Sequence, residues 1–450
     1  MLRHTLLASV LVIGPATAPA RAQGCDAGPL AIHDVSLWTR DGPVAGRDVV
    51  IRDGRVASIE LARTESGRAR RDDGIRVIDG TGHTLLPGLV DAHLHFSIPG
   101  GLPPAAGGGA RTDTDAITGR QLLRSGVTSG RLHLASLEDA ARLEARSADA
   151  CAPLPRLQVG GPGLSGAVER DSPAYQRAAT REDAVAKVAR ARAAGIDWIA
   201  IHDADRYNAG VLEALVDAAR AAGIRLMAAG STPAEIGAAL SANPDTLDYV
   251  DRTNQPYSEA MLAAIRQHAG LVLVPTPGVP YRTVAYADDP ARLEEAANFE
   301  FLSDADRAFV LANARQALAG RDAERSRQIM PLLPGKFRQL RALGLPMAVG
   351  TDAGSPLHFQ AGAIWWELEA WRAMGVSHRD ALIAATEGSA GVLHASDAAR
   401  LAVGSRADFV LYRGNAEDGR FEQARVLAVG KSGVLYVADG RWVGPPVERP

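Results

Sequence analysis

Two histidines one residue apart are the first residues of this sequence whose types and spacing point to chemistry. His93 and His95 close the apolar run LVDAHLH at positions 89–95. Residues i and i+2 of a strand point to the same face, so both imidazoles would lie on one side of it. Two neutral imidazole nitrogens on one face suit Zn²⁺ or a similar borderline cation. A pair of hydrogen-bonded core histidines has the same spacing, and the motif alone leaves both interpretations open.

A third candidate ligand lies far along the chain. Asp352 belongs to the stretch PMAVGTDAG at positions 346–354. If this run is the last strand of a closed barrel, it lies beside the first strand, and the Asp352 carboxylate meets the same cation as His93 and His95. An Asp at this place can also merely cap the next segment. Three candidate ligands and a water are the usual composition of a catalytic zinc site, so together they predict one divalent ion.

The sequence pattern between these motifs predicts the elements that position them. Eight apolar runs, which begin at residues 89, 127, 156, 198, 225, 249, 271 and 346, alternate with helical stretches rich in Ala, Arg and Leu. Alternation of apolar strands and helices indicates a parallel sheet covered by helices. Eight such units predict a (β/α)8 TIM barrel, whose active site lies at the carboxyl ends of the strands.

The two ends of the chain have a different, β-rich texture. Dipeptides typical of hairpin turns, Asp53-Gly54 and Asp439-Gly440, separate short runs of strand-forming residues. We expect residues 28–88 and 395–450 to form one small β-sandwich domain, with the TIM-barrel catalytic domain of residues 89–394 inserted between its halves. The expected fold class is therefore α/β.

The first residues have the pattern of a targeting segment rather than of a folded element. Positively charged Arg3 precedes the apolar run LLASVLVIG, and small residues at Ala20 and Ala22 offer a cleavage site. Since the run is shorter than the roughly 20 residues of a membrane span, we expect a signal peptide over residues 1–22 and a periplasmic or secreted protein. An uncleaved amphiphilic anchor is the alternative. In an oxidising compartment Cys25 and Cys151, the two cysteines, could form a disulfide or stay unpaired.

Composition narrows the class of partner. The chain has 450 residues and a formal net charge of -3, so neither nucleic acid nor an anionic membrane is indicated. The sequence contains no Gly-x-Ser-x-Gly stretch, which argues against a serine hydrolase. A small-molecule substrate is the expected partner, and the oligomeric state stays open.

Several motifs together resemble the amidohydrolase superfamily, the metal-dependent hydrolases that include imidazolonepropionase-like, dihydroorotase-like and prolidase-like enzymes. The resemblance is carried, in the expected order, by LLPGLVDAHLHF, GVT, GTDAG, ALIAATEGSAGVL and LAVGSRADFVL. It implies hydrolysis of carbon–nitrogen bonds, of a non-peptide or cyclic amide, by a metal-activated water. It also implies that His93, His95 and Asp352 bind the metal and that Asp352 moves the proton.

Three positions depart from the pattern of the relatives. The resemblance aligns Ala200 with a metal-bridging lysine, Ala229 with a histidine of strand five and Arg252 with a histidine of strand six. A two-metal centre then has too few ligands, and the Arg252 guanidinium would repel a second cation. We expect a single divalent ion, with zinc as the expected metal. The same losses keep open an inactive amidohydrolase-like binding or scaffold protein, and a mononuclear lyase, isomerase or deaminase.

Two further residues are candidates for catalysis. His202 lies two residues beyond Ala200, hence on the same strand face, and could replace the missing ligand or act on substrate. A histidine bonded only to solvent or to Asp203 is the alternative. Arg252 could clamp a carboxylate of an acidic substrate, or it could neutralise Asp352 in an interior without metal.

Three more residues are candidates for substrate binding. His133 and Arg131 share one face of strand two, and His358 follows Asp352 by six residues, where relatives place a loop histidine near the pocket. The alternative for the strand-two pair is ordinary filling of the barrel interior.

Overall fold

The structure is a computed structural model that describes residues 25, 28–64, 74–97, 114–250, 252–355 and 357–445. The expected signal peptide, residues 1–22, lies outside the described residues. No helix in these ranges is long and apolar enough to cross a lipid bilayer.

The strands of the described residues have between two and eleven residues. In chain order they are β1 Leu30–Thr39, β2 Gly42–Arg52, β3 Arg55–Leu61, β4 Arg76–Asp79, β5 Thr84–Pro87, β6 Leu89–Leu94, β7 Val127–Leu132, β8 Arg156–Val159, β9 Gly163–Ser165, β10 Tyr175–Arg177, β11 Trp198–His202, β12 Arg225–Ala229, β13 Thr246–Asp248, β14 Val272–Val274, β15 Phe409–Tyr412, β16 Val426–Lys431, β17 Val434–Ala438 and β18 Arg441–Trp442.

The α-helices of the described residues lie between β6 and β15. They are α1 Thr114–Arg124, α2 Leu137–Ser147, α3 Arg181–Ala193, α4 Val211–Ala221, α5 Pro233–Ser241, α6 Glu259–Arg266, α7 Gly278–Asp288, α8 Asp304–Leu318, α9 Arg321–Ile329, α10 Leu333–Arg341, α11 Ala363–Ala373, α12 His378–Ile383 and α13 Ser389–Val392.

Strands from both ends of the chain share one nine-stranded sheet. Its order is β18-β17-β16-β15-β5-β1-β2-β3, with β4 paired to β1. The two halves join where β15 pairs antiparallel with β5, and Val410 faces Leu86. Asp53 and Gly54 both have positive φ, 50° and 73°, as a two-residue hairpin turn between right-twisted strands requires. This β-sandwich therefore needs both ends of the sequence.

The middle of the chain forms the TIM barrel inserted into the sandwich. β6, β7 and β8 form one parallel sheet, and β9 to β14 belong to another. Residues 346–353 lie between the two sheets, because Met347 bridges Leu273 of β14 and Ala353 bridges Leu94 of β6, both in parallel. The fold class is α/β, with a (β/α)8 barrel and a small β-sandwich, as the sequence predicts.

The sixth barrel strand differs from the expectation. The sequence places this strand from residue 249 onward, but β13 spans Thr246–Asp248 and pairs with β12 and β14. The extended run ends at Tyr249, whose φ of 78° is left-handed. Arg252 consequently lies beyond the strand rather than on it.

Two tertiary contacts tie the barrel to other parts of the chain. Cys25 and Cys151 form a disulfide across 126 positions of sequence, which decides the alternative that the sequence left open. Lys431 of β16 is fully buried. Its Nζ lies within hydrogen-bond distance of four backbone carbonyls at or after the end of α2, those of Ser147, Asp149, Ala152 and Leu154, and can donate to three of them at a time.

Candidate metal centre

His93, His95 and Asp352 meet at the carboxyl ends of the first and last barrel strands. His93 lies in β6, His95 follows it directly, and Asp352 lies in the neighbouring segment 346–353. Their ligand atoms all lie within 4.8 Å of one another. His95 Nε2 is 2.9 Å and His93 Nε2 is 3.6 Å from the same oxygen, Asp352 Oδ1. The parallel pairing of these strands therefore brings the three side chains together.

The backbone aims Asp352 at the histidines. Its φ of 53° is left-handed, a conformation that Asp tolerates better than most residues, and its backbone N–H donates to the His93 carbonyl at 2.8 Å. Burial alone would raise the pKa of the Asp352 carboxyl. The hydrogen bond with His95 and the positive charge of Arg252 outweigh burial and lower that pKa below its usual range. Asp352 is therefore a carboxylate at neutral pH.

A second carboxylate holds His93 from its other side. Asp248 of β13 is fully buried and its Oδ2 lies 2.7 Å from His93 Nδ1. Burial raises the pKa of Asp248, but the Arg131 guanidinium and the His93 hydrogen bond lower it below the usual value. Because an ionised carboxylate only accepts, the proton of His93 lies on Nδ1, and the Nε2 lone pair faces Asp352. A carboxylate behind a ligating imidazole is a common way to orient it.

The donor set fits one divalent cation. Two imidazole nitrogens and one carboxylate oxygen converge. Without metal, His95 Nε2 donates to the Asp352 carboxylate at 2.9 Å. A bound cation would take the place of that proton, and His95 Nδ1, 3.3 Å from the carbonyl of His133, would carry the proton instead. Such a mixed nitrogen and oxygen set suits zinc and similar ions. A second cluster of His93, His133 and Asp248 has the same residue types. The Arg131 guanidinium, 2.8 Å from Asp248, makes it a poor cation site.

Arg252 approaches Asp352 but leaves the cluster open. Its Nη2 is 3.8 Å from Asp352 Oδ2, whereas both imidazoles face Oδ1. The guanidinium stacks over the ring of Tyr249 at 4.7 Å and the side chain is 35% exposed. Its donors therefore face the cavity, where a carboxylate could reach them.

A cavity of about 870 Å³ opens above the cluster. Five of the residues that the sequence singled out line it: His95, His133, His202, Arg252 and Asp352. Its wall also contains Tyr175, Asp203, Glu235 and Ala229, one of the positions where relatives have a histidine. The cavity joins two of the candidate ligands, His95 and Asp352, to the other three residues in one site.

The imidazoles of His133 and His202 are buried in this wall. His202 is only 9% exposed and its Nε2 has no hydrogen-bond partner among the described residues, and neither ring nitrogen of His133 has one. Burial lowers the pKa of His202 to about 4 and lowers that of His133 well below its usual value. Both rings are therefore neutral at pH 7, and their unpaired nitrogens are buried in the wall.

Two other expected substrate-binding residues lie elsewhere. Arg131 does not line the described cavity, because its guanidinium points at Asp248 and Thr246 inside the barrel. His358 is buried behind the wall, with Nε2 3.4 Å from the Thr283 hydroxyl. Neither residue is among those that line this cavity.

Sequence reasoning missed Asp248 and Tyr249. Asp248 orients His93, and the Tyr249 hydroxyl lies 3.2 Å from His93 Nε2. Burial raises the pKa of Tyr249 well above its usual value, so the hydroxyl is a donor. The alternation of Thr246 and Asp248 in TLD was the available pattern, since polar residues at i and i+2 share the interior face of a barrel strand.

Known proteins resemble the chain in sequence, over a short stretch, and in fold, over most of its length. A dihydroorotase of Halalkalibacterium halodurans is 36% identical over 70 residues, and the match covers 16% of this chain and 15% of that protein. Two solved structures share the fold over most of their length. A putative prolidase from Bifidobacterium longum is 21% identical with a TM-score of 0.64, covering 92% of this chain and 96% of that one. A Xaa-Pro dipeptidase with bound methionine is 19% identical with a TM-score of 0.68, covering 91% and 100%.

A match to a protein-family model shows to which family the chain belongs. The model described as the amidohydrolase family matches residues 84–443. This range contains β6 and the segment 346–353, hence all three candidate ligands. The chain therefore belongs to the amidohydrolase family.

Proposed function

We propose that the protein is a hydrolase that cleaves carbon–nitrogen bonds of non-peptide or cyclic amides with one divalent metal ion. The convergence of His93, His95 and Asp352 below a cavity carries this proposal. Family membership and the short similarity to a dihydroorotase support the bond type. The mixed nitrogen and oxygen donor set supports zinc as the metal.

The proposed chemistry divides between the ion and Asp352. When bound, the ion would polarise the scissile carbonyl as a Lewis acid and acidify water at the site. Asp352 is the general base: its carboxylate takes the proton of the attacking water and then passes it to the leaving nitrogen. Asp248 keeps the proton of His93 on Nδ1 throughout.

The remaining residues of the cavity wall act on substrate in this proposal. The partly exposed Arg252 binds a carboxylate or another anionic group, while His202 and His133 line the cavity with neutral rings. A small, acidic amide fits this combination of charge and volume. Arg131 and His358 position the wall and do not contact the substrate.

We propose that the protein acts outside the cytoplasm, in the periplasm or secreted. The disulfide between Cys25 and Cys151 supports this location, because such bonds persist in oxidising compartments. The expected cleavage after Ala22 would leave Cys25 close to the start of the mature chain.

Metal content and turnover of the protein purified from a periplasmic extract test the proposal. We expect one zinc per chain by elemental analysis and hydrolysis of at least one member of a panel of N-acyl amino acids, lactams and hydantoins. A chain that holds no metal and turns over nothing on this panel would instead support the binding or scaffold alternative.

A further inference from the structure

We propose that Arg131 decides which of two overlapping clusters becomes the metal centre: its guanidinium takes the cation position beside Asp248, so that His93 offers Nε2 to Asp352. The choice of metal cluster rests on the proposed function, whereas the state of His93 can be measured without metal.

His93 belongs to two clusters through its two ring nitrogens. Nε2 faces Asp352 Oδ1 at 3.6 Å, and Nδ1 faces Asp248 Oδ2 at 2.7 Å. His133 Nε2 lies 4.0 Å from the same Asp248 oxygen. Each cluster offers two imidazoles and one carboxylate, with all ligand atoms within 4.8 Å. Since one neutral imidazole has one lone pair for a metal, the two clusters compete for His93.

Arg131 is fixed on the side of Asp248. Its three kinds of nitrogen each have an acceptor: Nε donates to the Ala92 carbonyl at 2.7 Å, Nη1 to Thr246 Oγ1 at 3.0 Å and Nη2 to Asp248 Oδ2 at 2.8 Å. The guanidinium also lies over the Trp198 ring at 4.9 Å. A buried cation held in this way neutralises Asp248 and repels a metal ion from that cluster.

The Asp248 carboxylate, whose charge Arg131 compensates, in turn fixes His93. Thr246 Oγ1 donates to Asp248 Oδ1 at 2.7 Å, so the carboxylate cannot rotate without losing two hydrogen bonds. Its Oδ2 accepts from His93 Nδ1 and leaves Nε2 as the ligand atom. Neither Asp248 nor Arg131 lines the described cavity, and both are positioning residues.

The test combines zinc binding with substitutions in both clusters. In the wild-type background, Asp352→Asn should weaken zinc binding at least 100-fold in competition with a chromophoric chelator. In an Arg131→Met background, zinc should move to the Asp248 cluster, so that Asp352→Asn costs less than about threefold and Asp248→Asn abolishes binding. Arg131→Lys keeps the charge and should behave like wild type.

Arg282→Met is the matched control. Arg282 is equally buried, and its guanidinium donates to Phe359 and Ala361 carbonyls away from both clusters. It should leave the dependence of zinc binding on Asp352 unchanged. If Asp352→Asn abolishes binding equally in the wild-type and Arg131→Met backgrounds, the inference is wrong.

The ¹⁵N NMR spectrum of His93 in metal-free protein provides a second measurement. It can be made even if Arg131→Met does not fold or the wild type binds no zinc. Wild type should show a protonated Nδ1 and a bare Nε2, and Arg131→Lys should show the same pattern. A wild-type His93 protonated on Nε2 alone would overturn the inference, whereas a failure of zinc binding alone would overturn only the proposed function.

Discussion

At the scale of single residues, Asp352 unites the features on which the proposed chemistry depends. It faces two imidazoles through Oδ1 and an arginine through Oδ2, in a left-handed backbone conformation. Few residue types adopt this conformation easily, and Asp and Asn are among them. The charge of Asp352 can therefore be removed without changing its backbone.

We predict that Asp352→Asn lowers kcat/KM at least ~10²-fold, the usual range for a lost general base, while the chain stays folded. Metal content should fall in parallel, because an amide is a poorer ligand than a carboxylate. Steady-state kinetics and elemental analysis measure both effects. Asp203→Asn is the matched control, since Asp203 also lines the cavity with a φ of 51°. Equal metal loss in both variants would contradict a specific role of Asp352.

The buried His358 predicts a pH dependence of stability. Burial and the positive charge of Arg282 lower the pKa of His358 to about 3, against about 6.5 in an unfolded chain. Between these values the unfolded chain binds a proton that the folded chain does not, so stability falls as the pH falls. The melting temperature of His358→Gln should drop less than that of wild type between about pH 7 and about pH 5. Parallel curves would show that His358 does not contribute.

The sequence predicts part of the site at this scale. His93, His95 and Asp352 could be found because their spacing and the order of the motifs place them on adjacent strands. The role of Asp248 could not, because it depends on where the sixth strand ends. The predicted strand begins at residue 249 and the observed strand at residue 246, so Asp248 faces the interior and Arg252 lies beyond the strand, and no local pattern fixes such a boundary.

At the scale of elements, the site depends on short strands that neighbouring elements hold in register. β13 has three residues, and the segment 346–353 joins the barrel through two isolated bridges and a few single backbone hydrogen bonds, such as that from Ala92 N–H to the Val349 carbonyl. Alternating apolar runs predict eight barrel units, but they do not predict which run pairs over only one or two residues. The sequence does not predict the contact of Lys431 in the sandwich strand β16 with the segment after the barrel helix α2 either, since a lysine is usually exposed.

We predict that Lys431→Met lowers the free energy of unfolding by about 3 kcal/mol, because buried carbonyl oxygens lose their donor. Lys431 Nζ is the donor to the carbonyls of Asp149 and Leu154, at 2.9 and 2.7 Å. Urea denaturation followed by circular dichroism measures the loss. Arg441→Met on the exposed β18 is the control and should change stability by less than ~0.5 kcal/mol. A similar effect of both substitutions would contradict the role of Lys431.

At the scale of the whole molecule, the disulfide and the shared sheet connect the ends of the chain to its middle. Cys25 lies against Leu123 and Tyr436 as well as bonding Cys151, so it fastens the barrel to the C-terminal strands. The fold class itself was predictable from the texture of the sequence. Whether two cysteines 126 positions apart would meet was not, because this depends on the packed structure.

We predict that replacing both cysteines by serine lowers the free energy of unfolding by about 2–4 kcal/mol, since the unfolded chain regains the freedom of a long loop. Thermal melts with and without dithiothreitol measure this effect. Wild type in reductant should melt like the double variant, which itself should not respond to reductant. A wild-type melting temperature that ignores reductant would contradict the prediction.

Because β5 pairs with β15, the nascent chain can complete the β-sandwich only after its C-terminal strands have been made. More than 300 residues separate Leu86 from Val410, so the N-terminal strands leave the ribosome long before their partners exist. Until then β5 presents a bare edge to every other chain nearby. We therefore expect chaperones that cover unpaired strand edges to raise the yield of folded protein.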